Sequence, residues 1–236
     1  MCHAIAWNIP LKQMQPVIVN RHLQSILQHP HLNKLCASPG ESRARNAVID
    51  LLFALFNLHP SNACQITHVE PLASIYRATL SSSDLKLLSI FRLFENERKL
   101  SVSMLFSRWS TNTCSAASNS LEAIQSLDPN LVFRTSLHYP RWRRLDDQSK
   151  HSVSNHDAQL YDPIFLILLF GTMLSESPPS TSYAWLEMFR TNIVGLLIRS
   201  LSCKDACVRD MALCHLAALW KSLQVSLPLS LYFSTG

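Results

Sequence analysis

Val208, Ala212, Leu216 and Leu219 recur at three- and four-residue spacing within Leu201–Leu223, a stretch reading LSCKDACVRDMALCHLAALWKSL. That period marks one face of an α-helix, and Asp205 stands where a side-chain oxygen can cap the first turn. Arg209 sits beside the stripe, placed to pair with an acidic residue on a neighbouring element. An acidic cap, then Val-Arg, a small residue three positions on and leucines a turn apart suit a helix packed between others in a stack. Such a helix does not stand alone. The chain must therefore supply more of the same kind.

Its composition allows this. With 47% hydrophobic residues in 236, the chain can bury a sizeable core. Only 4 glycines stand against 12 prolines, which disfavours Gly-turned β meanders and fits helices stopped by Pro. Lys and Arg exceed Asp and Glu by 21 to 16, so an acidic partner is only mildly favoured. The cysteines Cys2, Cys36, Cys64, Cys114, Cys203, Cys207 and Cys214 are odd in number and lack a framework spacing, which implies a reducing compartment. The N-terminus carries neither a basic region with an apolar run nor an Arg-rich amphipathic pattern, so secretion and mitochondrial import are not expected. The most apolar run, Ile164 to Leu174, is about half the roughly 20 residues that span a bilayer. It reads as a buried helix, and no membrane partner is expected.

Residues 1–20 show no period and stay unassigned. Next come a short helix near His22 to Gln28 and a Pro-Gly stop at Pro39-Gly40. A longer helix opens with Glu41 and carries Ala44, Val48, Leu51, Leu52, Leu55, Phe56 and Leu58 up to His59-Pro60. A following unit starts at Asn62 or Thr67 and places Val69, Leu72, Ile75, Tyr76 and Leu80 on one face. Ser81 to Ser83 with Asp84 is a helix-start signal, with Leu85, Leu88, Ile90, Phe91 and Phe94 as the stripe. Val102 to Trp109 reads as a further turn, and TNTCSAASNS after it as a loop. Brief helices follow at Leu121–Leu127 and at Asn130–His138, the second opened by Asp128-Pro129 and closed by Tyr139-Pro140. Residues 141–159 read as an exposed insertion. Asp162 then caps the apolar helix, and Trp185 to Ser200 precedes the helix from Asp205. The sum is eight to ten helices without a convincing strand. This predicts an all-α fold of HEAT/armadillo-like helical repeats, an irregular α-solenoid spanning 21–223 with a tail at 224–236.

Four segments carry a resemblance. Ile66 to Glu95, Ser126 to Leu145 (SLDPNLVFRTSLHYPRWRRL), Leu160 to Phe170 (LYDPIFLILLF) and Leu196 to Leu223 resemble, in order, the C-terminal region of the nucleolar pre-ribosomal-associated protein 1 family. Tyr-Asp-Pro before an apolar helix and Tyr-Pro before arginines are the most specific parts. Members of that family are far longer, so the chain resembles a fragment of them. The resemblance implies a helical-repeat scaffold of the nucleus and nucleolus, acting early in assembly of the large (60S) ribosomal subunit. It further implies support for maturation of 5.8S and large-subunit rRNA, with pre-60S assembly factors and pre-rRNA as partners. A generic HEAT/armadillo-like adaptor that binds protein without RNA is the alternative.

The basic-aromatic cluster Arg141, Trp142, Arg143 and Arg144, with Lys150 nearby, is the candidate RNA contact. Guanidinium groups pair with phosphates, and a Trp face stacks on an unpaired base. In the bland alternative, Trp142 packs into the fold and the arginines pair with Asp146, Asp147 and helix-end carbonyls. Zinc is not expected at Cys203, Cys207, Cys214 and His215. Cys207 and Cys214 lie about 10 Å apart along a straight helix, too far for one ion, so the thiols read as small buried hydrophobes. No nucleophile with His and carboxylate at motif spacing and no Gly-rich phosphate loop is present, so neither enzymatic activity, a cofactor nor a small-molecule substrate is expected. Asp162, Asp205 and Arg209 are assigned structural roles.

Overall fold

A computed structural model describes residues 14–37, 42–99, 109, 117–140, 143–145 and 159–226. Among them every regular element is helical, apart from a single antiparallel bridge between Thr79 and Tyr161. The chain forms two compact units, one of residues 1–75 and 86–102, the other of residues 76–85 and 103–236. No helix among the described residues is long and apolar enough to cross a membrane.

The first unit contains α1 (Pro16–Leu27), α2 (Leu32–Ala37), α3 (Arg43–Leu58), the single turn α4 (Pro60–Ala63), a 3-10 turn at Ile66–His68, and α5 (Val69–Ile75). It also takes most of α6 (Ser82–Arg98), from Lys86 onward. Helix α1 starts well before the expected His22, with Pro16 in its first turn, where a missing N–H costs nothing. Val19, Leu23 and Leu27 recur every four residues and are buried. In α3 the buried face is Arg45, Ile49, Leu52, Leu55 and Phe56, rotated from the expected one, and Leu51 is exposed. Arg45 explains the rotation. Its stem lies in the core while its guanidinium reaches the carbonyl of Ile75 at 3.3 Å. In α6 the face uses Leu87 beside the expected Ile90, Phe91 and Phe94. Phe56 then sits 5.7 Å from Phe94 and edge-on to His68 at 5.9 Å. Arg98 closes the α4 end by donating to the carbonyls of Cys64 and Ser61.

The second unit is built on the apolar run. Helix α9 (Pro163–Glu176) follows α7 (Ser120–Gln125) and α8 (Pro129–Leu137) and precedes α10 (Ser182–Arg190), α11 (Ile193–Ser200) and α12 (Ala206–Ser226). Ile164 through Ile167, Leu169, Phe170 and Met173 are buried, because α9 touches α7, α11 and α12. A helix that is apolar all round belongs in such a central place. Trp185 to Ser200 is two helices rather than one run. Asn192 adopts a left-handed backbone (φ 64°), which Asn tolerates, and Thr191 Oγ1 donates to the Met188 carbonyl at 2.7 Å.

The expected helical face ending in Tyr76 and Leu80 also differs. Helix α5 stops at Ile75, and residues 76–80 are extended or bent, with Ala78 at φ 58°. Tertiary pairing overrides the helical pattern here. Leu80 N–H donates to the Leu160 carbonyl at 2.9 Å, and Asp162 N–H to the Ala78 carbonyl at 2.7 Å. The start of α6 is the capping arrangement expected from Ser81 and Asp84, since Ser81 Oγ accepts from Asp84 N–H at 3.2 Å.

One close approach fixes how α12 meets α9. A Cβ on Gly171 would stand 2.5 Å from His215 Cε1, whereas one on Gly195 would meet nothing within 4 Å. Replacing a mid-helix Gly by Ala ordinarily stabilises by up to ~1 kcal/mol, while overpacking costs ~1–3 kcal/mol. Gly195→Ala should therefore raise the denaturant midpoint. Gly171→Ala should lower it and recover in the Gly171→Ala/His215→Ala double variant; equal gains at both glycines would disprove the contact. Burial also lowers the pKa of His215 and of His68, and the Nε2 of each lacks a partner. The unfolded chain then takes up protons first as pH falls below about 6.5, so stability present above that value is lost on acidification. Thermal melts from pH 7.5 to 5 should show this loss, and His215→Gln should flatten it.

Candidate functional site

The segment after α8 carries the candidate basic cluster, and its anchor is built by two helix N-termini. Helix α8 starts at Pro129 behind Asp128, whose carboxylate accepts from Asn130 and Leu131 N–H. It ends at His138, after which Tyr139 and Pro140 are buried. Burial pushes the Tyr139 hydroxyl well above the ordinary tyrosine range, and that hydroxyl meets Ser200 and the Cys203 thiol near the end of α11. So the chain leaving α8 is tied to the α11 end before the arginines begin.

Arg143 is buried and does not belong to an exposed basic face. Its Nε lies 3.2 Å from both carboxylate oxygens of Asp162, its Nη2 donates to Oδ2 at 2.7 Å, and its Nη1 donates to the Arg144 carbonyl at 2.7 Å. This fork is the arrangement a planar guanidinium favours. Asp162 Oδ1 also accepts Ile164 N–H at 3.0 Å, so the expected cap of α9 is present and the same carboxylate holds the arginine. Next, Leu145 N–H donates to Asp205 Oδ2 at 3.0 Å while Asp205 Oδ1 accepts Cys207 N–H at 2.9 Å. Asp205 thus caps α12 and pins residue 145. The Leu145 amide, with the α12 amides, holds the Asp205 carboxyl below its usual range against the opposing effect of desolvation. Between these pins Arg144 is exposed. Arg141, Trp142 and Lys150 lie outside the described residues, as do Asp146 and Asp147.

Tyr76, Thr79 and Asp84 extend the polar centre. Asp84 is fully buried, and its carboxylate accepts Thr79 N–H at 2.9 Å and the Thr79 hydroxyl. Burial raises the Tyr76 pKa well above 10, and the negative charges of Asp162 and Asp84 add to the rise while Arg143 opposes it. The Tyr76 ring packs on Phe165 at 5.2 Å, and its carbonyl accepts Trp109 Nε1–H at 2.8 Å. Thr135 Oγ1 accepts Tyr161 N–H at 3.1 Å, and the Tyr161 hydroxyl accepts Asp128 N–H at 3.4 Å. Burial pushes that hydroxyl up to about 12. These groups are held in mutual hydrogen bonds within a closed interior. What the arrangement does is fix three chain segments, 76–81, 143–145 and 160–162, against each other.

Two expectations change. Arg209 donates to the carbonyls of Cys203 and Lys204 at 2.9 and 3.0 Å, closing the loop before its own helix instead of pairing with an acidic residue on a neighbour. Of the three cysteines read as small buried hydrophobes, only Cys203 is buried; Cys207 and Cys214 are exposed on α12. Among the described residues no group of three or more His, Cys, Asp or Glu side chains is arranged to hold a metal ion. Asp84 had a local signal in its Ser-x-x-Asp spacing. The partnership of Arg143 with Asp162, nineteen residues apart, had none.

Fold and site together define an all-helical protein whose basic segment is pinned at the N-termini of two helices. The chain is similar to nucleolar pre-ribosomal-associated protein 1 of Mus musculus, 29% identical over 206 residues, covering 78% of this chain and 9% of the relative. The same protein of Homo sapiens is 28% identical over 224 residues, covering 84% of this chain and 10% of the relative. The chain thus spans about a tenth of the length of the curated relatives it matches. No family model and no solved structure matches it.

Removing one partner of a buried ion pair costs ~3–5 kcal/mol because the other charge is left unpaired. Asp162→Asn keeps a capping oxygen but strands Arg143, so unfolding in urea should show a loss of that order. Arg143→Lys should not restore the fork. A loss under 1 kcal/mol for both variants would show that the pair does not hold the junction.

Proposed function

We propose that this chain is a scaffold segment of a pre-ribosomal particle in the nucleolus, working through its surfaces and without catalysis. The supporting observation is the similarity, across most of the chain, to proteins named as nucleolar and pre-ribosomal-associated. On this reading the helices form irregular HEAT/armadillo-like repeats whose partners are pre-60S assembly factors and pre-rRNA. The particle is an early large-subunit precursor, and the segment supports maturation of 5.8S and large-subunit rRNA.

The basic segment suits the RNA role in a particular way. Arg143 acts as the anchor, while Arg144 is exposed beside it. Arg141, Trp142 and Lys150 complete the proposed contact by phosphate pairing and base stacking. An anchored base lowers the ordering cost that a loop otherwise meets on binding.

Two measurements test this. Tagged chain should co-sediment with large-subunit precursors and crosslink to their RNA. Arg141→Glu, Arg144→Glu and Lys150→Glu together should weaken RNA binding and flatten the dependence of log K on log salt, since fewer counterions are released. Arg143 is left intact because its loss would unfold the junction. Unchanged RNA binding and slope would reject the contact, and absence from precursors would reject the particle.

A further inference from the structure

Helix α12 buries Val208, Ala212 and Leu219 and turns a second apolar stripe outward. Leu213 is 59% exposed and Trp220 is 65% exposed, with Leu216 half-buried and Ala217 exposed between them. Steps of three, one and three residues put all four on one side of the helix. An outward Trp flanked by leucines is the composition of an interface centre rather than of a solvated face.

The charges along this stripe indicate what covers it. Asp210 and Lys221 are both exposed and have no partner among the described residues. Eleven residues separate them, which is about 16 Å along the axis and only about 20° around it, so they mark opposite ends of one edge. A second α12 laid antiparallel across a two-fold axis near Leu216 and Ala217 brings Asp210 of one copy to Lys221 of the other, twice. The same placement sets Leu213 against the other copy's Trp220, and the small Ala217 lets the axes approach closely. A parallel two-fold arrangement would instead carry this edge to the opposite side of the interface and leave both charges without a counter-charge. The face is complementary to itself, as an isologous two-fold contact requires.

We propose that α12 is a self-association surface through which two copies of this chain form an antiparallel dimer. The apolar stripe supplies the affinity, and the Asp210–Lys221 pairs set the orientation, since exposed ion pairs add little energy but discriminate direction. This goes beyond the scaffold reading and is independent of the basic segment.

The test is sedimentation velocity on the full 236-residue chain across a concentration series, with circular dichroism to verify that each variant stays helical. The expected result is a reversible dimer. Trp220→Ala should weaken it about tenfold or more, as loss of a central aromatic anchor does. Asp210→Lys and Lys221→Asp should each weaken it, and the double exchange should restore it. A monomer at every concentration would overturn the proposal, and so would a dimer indifferent to Trp220. A double exchange no better than either single one would overturn the antiparallel pairing. Loss of RNA binding in the arginine variants with the dimer intact would separate the two functions.

Discussion

Asp162 carries the second unit. One carboxylate caps the central helix α9, accepts a forked guanidinium from Arg143, and belongs to a residue whose N–H bonds the Ala78 carbonyl. In a low-dielectric interior such a charge is tolerable only when every lone pair is met. The meeting of three chain segments at this point follows from that requirement. Residues 76–80 give up the helix their pattern suggests because their backbone is needed to bond the strand-like turn before α9.

The same economy of partners recurs at Asp84 and Asp205. Each stands in the first turn or cap of a helix and its carboxylate fixes backbone outside that helix, Thr79 in one case and Leu145 in the other. An N-terminal helix dipole and unsatisfied amides make these sites favourable for a carboxylate. The third hydrogen bond then links elements distant in sequence. In this way capping, a local matter, becomes a tertiary device, which at Asp162 and Asp205 holds Arg143 and Leu145.

The first unit depends on a different balance. Its core is aromatic and aliphatic, with Phe56 between His68 and Phe94, and the deeply buried Arg45 is bonded to a helix-end carbonyl. Arg45 shows why a stripe drawn from hydrophobicity alone was rotated in α3. A long side chain with an apolar stem and a carbonyl within reach takes a core position that a smaller apolar residue would otherwise claim.

Helix existence was legible in the residues wherever period and caps agreed: α3, α6, α9 and α12 follow from stripes and from Ser81, Asp162 and Asp205. These are local properties, set within one or two turns by hydrogen bonding and side-chain direction. The breaks were less legible. Nothing local marks Ile75 as the end of α5, because residues 76–80 are held by distant backbone partners; at Asn192 the signal is local but short, a Thr-Asn pair inside an otherwise continuous apolar pattern. The basic cluster was visible as a group of arginines, yet which of them is buried was not. Sequence by itself determined the helical class, the central apolar helix and the acidic caps. Only the tertiary structure decided that Arg143 is an anchor for Asp162, since a charge enters the interior only where a fitting counter-charge waits.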